Sequence, residues 1–269
     1  MATSDRPAPR RRLWRFVRRA LAVMGVLILA LLGAGQIARA RLKARNPAPG
    51  QRVDIGGYAL HIQCSGQGSP TVILESGLGS DSLGWSRVQP AIAQQTRVCA
   101  YDRAGYGWSD RSPRPRSAAQ AVDELHALLQ KAGVAPPYVL AGHSLGGVYV
   151  KLYAHRYPAE VAGLVLVDPS DERDLSDLPP AYREQYRALV DETQGQMGAL
   201  KLLINSGIPA LWPSLLGANE KLSAETNAAA VALQASSSAG LQTSLDELLG
   251  LEASFDAVRA ADILSLIHI

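Results

Sequence analysis

The stretch Pro137–His155, PYVLAGHSLGGVYVKLYAH, constrains this chain more than any other. A compact apolar run, read as a buried strand, leads through Gly142-His143-Ser144-Leu145-Gly146 into a helix ended by Pro158. A turn that sharp holds its central residue in strained backbone. Side chains at the flanking positions would collide with neighbouring backbone, so glycine is needed at 142 and 146. The Ser144 hydroxyl is thereby lifted above the sheet at a helix N-terminus, where amides and the helix dipole favour a developing oxyanion. A serine hydroxyl is a poor nucleophile until a base takes its proton. Such a turn therefore needs a sheet to carry it, and a histidine and a carboxylate to activate it.

The sheet is legible on both sides of the turn. QRVDIGGYALHIQCSG has two short β-like runs around Gly56-Gly57, a hairpin signal. PTVILESG (Pro70–Gly77), TRVCAYD (Thr96–Asp102) and VAGLVLVDP (Val161–Pro169) read as further strands. SLGWSRVQPAIAQQ has helical spacing, and SAAQAVDELHALLQKAG (Ser117–Gly133) is a helix with a terminal glycine stop. Strands alternating with helices predict an α/β fold with a mostly parallel sheet. ARNPAPG (Ala44–Gly50) is a punctuated linker, so the core domain is expected over residues 46–170. Residues 171–263 read as helices of mixed polarity, without a convincing strand.

Charge divides the chain differently. Residues 1–45 hold eleven Lys or Arg and one acidic residue, a net +10, while the rest carries a net −7. The acidic body offers no footprint for nucleic acid. Ala20–Ala38 is uncharged, and as a helix these nineteen residues would span roughly 28 Å, close to the thickness of a bilayer's hydrocarbon. Seven arginines precede the span, which favours a cytoplasmic N-terminus and a body on the extracytoplasmic side. The expectation is a basic leader with a transmembrane helix, residues 1–45, anchoring the protein through residues 20–38. The alternative is a cleaved signal peptide and a secreted body, since Ala38-Arg39-Ala40 has the small-x-small form of a cleavage site.

With its strand and helix in place, AGHSLGG resembles the nucleophile turn of the α/β-hydrolases, with Gly142 and Gly146 as its supporting glycines. ESGLGSDSLGW sits where that family has a His-Gly loop, and YDRAGYGWSD resembles its loop after the fourth strand. The resemblance covers roughly residues 50–170. It implies that Ser144 is the nucleophile and that the amides of Leu145 and Leu78, the latter following Gly77, form the oxyanion hole. Ser76 departs from the pattern, standing where many members have histidine. The same topology runs the second strand beside the fourth, so Cys64 and Cys99 could bridge in an oxidising compartment. Otherwise they are two small buried hydrophobes. Asp102, Arg103 and the glycines of DRAGYGWSD are read as shaping the turn with a local ion pair. Asp110 occupies the third glycine position of a nucleotide-binding G-x-G-x-x-G, so that reading fails. Trp108 either lines the pocket mouth or packs. No metal and no organic cofactor are implied.

The family order is Ser, then Asp or Glu, then His. After Ser144 come only His155 and His268. His155 stands roughly 16 Å along the same helix and cannot reach the hydroxyl. His61 and His126 precede the serine and read as structural, and His143 as pocket lining or loop support. Asp168, at the end of GLVLVDP, is an acid candidate, although structural aspartates are common at strand ends. The family expects two further strands, with the acid and the histidine after them. LSLIHI (residues 264–269) is also what CTG TCT CTT ATA CAC ATC encodes, a string resembling a transposon end used in sequencing libraries. The expectation is therefore a C-terminally incomplete chain with an artefactual tail at 264–269, lacking the last strands and inactive as given.

The resemblance implies a serine hydrolase that cleaves a carboxylic ester or similar small-molecule acyl substrate through an acyl-enzyme, with residues 171–263 as helical cap and start of the C-terminal core. The alternatives are a non-catalytic binding or scaffold protein on the same fold, or a hydrolase of a thioester, lactone or C–C bond. Epoxide hydrolases and dehalogenases of this family carry aspartate where Ser144 stands.

Overall fold

The fold is set by a run of β-branched and aliphatic segments that bury both faces of the sheet's central strands. The structure, a computed structural model, describes residues 9–171, 173, 177, 179–217 and 222–261. Its six strands are β1 (Gln51–Asp54), β2 (Ala59–Ser65), β3 (Thr71–Glu75), β4 (Val98–Tyr101), β5 (Tyr138–His143) and β6 (Val161–Val167). They lie in the order β1-β2-β4-β3-β5-β6. The β1–β2 and β2–β4 pairs are antiparallel, and the remainder of the sheet is parallel. β3, β4 and β5 read as near-continuous apolar runs because helices cover parallel strands on both faces.

Around the sheet run α1 (Pro9–Arg45), α2 (Gln89–Ile92), α3 (Ala118–Lys131), α4 (Leu145–Arg156), α5 (Pro180–Asn205), α6 (Ala224–Ser236), α7 (Ala239–Leu249) and α8 (Leu251–Ala260). α3 starts where Ser117 accepts a hydrogen bond from the Gln120 amide, and it turns Ala121, Leu125, Leu128 and Leu129 inward. The main core joins that stripe to Leu60 and Ile62 of β2, Leu140 of β5, Val148 and Leu152 of α4, and Phe255 and Val258 of α8. Helix α8 thus belongs to the sheet's packing, whereas α5 packs on α7 and on the 3-10 turn at Ile208–Leu211, and α6 packs on α1 and the 3-10 turns before it.

The helical spacing over Ser82–Gln95 resolves into less helix than the sequence suggests. A 3-10 turn at Ser82–Trp85 is followed by the four-residue α2. Gly84 and Pro90 interrupt what would otherwise be a continuous helix. Cys64 and Cys99 face each other across the β2–β4 ladder and are joined by a disulfide. At the other border, β6 pairs with β5 alone among the described residues, and Val165 and Val167 on it are exposed. The expected tail at 264–269, with His268, lies outside the described residues.

Candidate active site

Ser144 sits between the end of β5 and the first residue of α4 with φ 51° and ψ −122°, a strained conformation for a side-chain-bearing residue. The flanking glycines are set by close approach. A Cβ on Gly142 would lie 2.5 Å from the Gly146 carbonyl oxygen, and one on Gly146 would lie 2.7 Å from the carbonyl oxygens of Glu75 and Ser76. Backbone cannot give way there as a flexible side chain could, so the turn and the start of α4 sit directly on the end of β3. The Ser144 amide donates to Val167 O, and its carbonyl accepts from Gly147 and Ser170. The serine side chain does not cap its own helix.

The loop after β3 abuts the serine. A Cβ on Gly77 would lie 3.1 Å from Ser144 Cβ and 3.0 Å from His143 Nδ1. Leu78 follows, 38 % exposed, while Leu145 is buried at the head of α4. Among the described residues, neither the Leu78 nor the Leu145 amide is engaged by an acceptor. Two unspent N–H groups therefore flank Ser144 from two different elements. Asp168 takes φ 44°, so the two non-glycine residues with positive φ among the described residues stand side by side at the ends of β5 and β6.

Arg103 holds that loop in place. Its guanidinium is buried and donates to Glu75 Oε1 (2.7 Å), Ser76 O (2.5 Å) and Gly77 O (2.9 Å). It also forks onto Glu247 of α7, with Nε to Oε1 at 2.8 Å and Nη2 to Oε2 at 3.0 Å. Burial would lower the Arg103 pKa, but the carboxylates of Glu247 and Glu75 outweigh it and hold it above its ordinary value. Burial raises Glu75, against the pull of Arg103 and of the Tyr101 hydroxyl bonded to it. Tyr106 completes the clasp. It donates to Glu247 Oε2 (2.8 Å) and accepts from the Gly79 amide (3.1 Å).

Asp102 fixes the far end of the same loop. Its Oδ1 accepts from the Ser82 amide (2.7 Å), and its Oδ2 accepts from Trp108 N (3.0 Å) and meets His61 Nδ1 at 2.8 Å. Asp81 lies beside it and caps the 3-10 turn by accepting from Leu83 N. Burial and the Asp102 carboxylate push the Asp81 pKa up to about 7. Folding then takes up a proton between pH about 4 and 7, so Asp81 costs stability increasingly as pH rises through that window. Asp81→Asn keeps the capping oxygen and removes the charge. It is expected to stabilise the protein by about 1–2 kcal/mol at pH 8, after allowance for partial solvent contact, and by roughly a third to a half of that at pH 5, where the unfolded carboxyl is already ionised. Urea melts at the two pH values check this; an equal gain at both would refute it.

The remaining histidines have other partners or positions. His61 is fully buried between Asp102 and the Pro49 carbonyl. His126 stacks on Tyr157 at 3.9 Å and meets Glu160. His155 is exposed in the last turn of α4, and His143 is exposed with its ring against Gly77. Trp108 packs beside His61 and donates through Nε1 to Asn46 O. The sequence predicts a local ion pair at Arg103 but gives no sign of Glu247, which is 144 residues away in a helix with no motif of its own. Among the described residues no group of His, Cys, Asp or Glu is arranged to hold a metal ion.

This is the architecture of an α/β-hydrolase, and residues 70–202 match the alpha/beta hydrolase fold family. The chain is an α/β-hydrolase-fold protein. The uncharacterized protein YqjL of Bacillus subtilis is 38 % identical over 117 residues, 43 % of this chain and 46 % of that protein. An AB hydrolase superfamily protein of Gibberella zeae is 32 % identical over 113 residues, 40 % of this chain and 35 % of its own length. The solved epoxide hydrolase CorEH superposes with a TM-score of 0.60 at 22 % identity, covering 78 % of this chain and 76 % of that chain; the likeness is one of fold. The chain spans less than half the length of the curated relatives it matches.

Proposed function

We propose that this protein is a membrane-anchored serine hydrolase that cleaves a carboxylic ester or similar acyl substrate. Ser144 is the nucleophile. The amides of Leu78 and Leu145 hold the oxyanion of the tetrahedral intermediate, and the acyl-enzyme that follows is released by water. The histidine that takes the Ser144 proton comes from outside the described residues, because His61 and His126 have other partners, His143 has its ring against Gly77 and His155 lies too far along α4. Asp168, at the strand end beside the nucleophile, is the acid candidate for that histidine, the alternative being a structural aspartate that shapes the strand end. Residues 171–263 supply a cap over the substrate site and the first part of the C-terminal core. The helix α1 is the anchor: Leu13–Arg45 is long and apolar enough to cross a membrane, and it is almost wholly unburied by the protein. The disulfide and the seven arginines before the span accord with an extracytoplasmic body.

The observation that carries this reading is the strained backbone of Ser144 between two unengaged amides. Strain of that kind persists where the surroundings over-determine it, and it clusters at reacting groups. The test treats the product of the gene, read uninterrupted past Ile263, with a fluorophosphonate. The adduct is expected on Ser144 by peptide mass spectrometry, and its absence there would overturn the assignment. Residues 1–269 alone are expected to hydrolyse p-nitrophenyl esters feebly or not at all. Robust turnover lost in Ser144→Ala would place a usable base within them.

A further inference from the structure

The anchor does not simply tether the body; it is packed into the cap. A Cβ on Gly35 would lie 2.8 Å from the Gly207 carbonyl carbon, and one on Gly207 would lie 2.5 Å from that of Gly35, so the two backbones touch. Gln36 Nε2 donates to Asn205 O (2.8 Å), and Arg39 Nε donates to Ser236 O (2.5 Å). Gly35 and Gln36 belong to the uncharged span Ala20–Ala38. At 1.5 Å per residue, Gly35 is about 4–5 Å short of the span's end. A span of that length fills a hydrocarbon core of about 30 Å. The Asn205–Gly207 backbone is therefore held at the depth of the span's last turn.

The side chains next to this contact suit that depth. Leu202 is 75 % exposed, Trp212 54 % and Leu203 47 %. Between Glu192 and Glu220 the sequence has one charged residue, Lys201, and its ammonium donates to Gln242 Oε1. In water, exposed apolar side chains are unfavourable by about 25 cal/mol per Å² of apolar surface; lipid removes that cost. Tryptophan is enriched at the headgroup level, where Trp212 would stand. A groove of about 510 Å³ runs between α1 and this face. Ala34, Ile37, Leu211 and Pro213 give it an apolar floor, and Arg41 and Arg45 give it two guanidinium groups. Apolar surface beneath cations matches an acyl chain beneath a phosphate headgroup.

We propose that the cap face formed by residues 199–213 docks into the bilayer beside α1, in the leaflet on the body's side. The proposal rests on the anchor reading above, and the experiment separates the two. The full chain is reconstituted into phosphatidylcholine vesicles with an environment-sensitive NBD label on Leu202→Cys, and with the same label on Lys131→Cys at the exposed end of α3 as reference. The label at 202 is expected to shift to the blue and to be quenched by doxyl lipids that reach the interface, while the label at 131 reports water. As a second measurement on the unlabelled protein, Trp212→Phe is expected to remove part of the tryptophan quenching by brominated lipid. Loss of the chain from vesicles in alkaline carbonate overturns the anchor, and the docking with it. A retained chain whose 202 label reports water overturns the docking alone. So does a label shielded but unquenched, which would mean that protein covers the face.

Discussion

Arg103→Met is expected to lower the unfolding free energy by about 3–5 kcal/mol, because it strands two buried carboxylates. Glu75 and Glu247 share this guanidinium, and all three side chains are essentially sealed from solvent. Methionine fills most of the volume, so the loss reports charge and hydrogen bonding more than a cavity. It should shrink at pH 5, where protonation relieves Glu75, whose carboxyl pKa burial already pushes up, and in the double variant with Glu247→Gln. Urea melts at pH 5 and pH 8 read both effects. A loss below about 1 kcal/mol would show that the cluster relaxes without its arginine. The same substitution frees the carbonyls of Ser76 and Gly77. The loop bearing Leu78 should then loosen even at temperatures where the protein stays folded.

In the longer form proposed above, Ser144→Ala is expected to cut kcat/KM for p-nitrophenyl esters by at least about 1,000-fold, with melting temperature nearly unchanged. Removing a nucleophile ends the covalent route, and only binding and oxyanion stabilisation remain. The positive φ of Ser144 strains alanine as much as serine, and Ser144 Oγ does not cap its helix, so stability should not move with activity. Retained turnover would mean that another group attacks the carbonyl. A large fall in melting temperature would mean that the hydroxyl is structural.

The turn at Ser144 was legible because its requirements are local. Glycines at 142 and 146, a strand before and a helix after are all written within twenty residues. The order of strands and helices up to Val167 was legible for the same reason, since period and punctuation act over short windows. The facing of Cys64 and Cys99 came only through the family's topology, because strand order is not a local property. Glu247 was invisible: a glutamate in a polar-apolar helix reads as a solvated face, and only the folded chain brings it to Arg103. The docking of Gly35 on Gly207 was equally hidden. Each glycine looks unremarkable alone, and their contact joins a leader to a segment 172 residues later.

Among the described residues the outer side of β6 pairs with no other strand, and such an edge is adhesive. Each unmatched amide and carbonyl along it is a template for another backbone, and no lysine or proline between Val161 and Val167 discourages one. Val165 and Val167 make the approach favourable. Whichever segment arrives first, from this polypeptide or from a neighbour, decides whether the sheet grows within one molecule or fuses two.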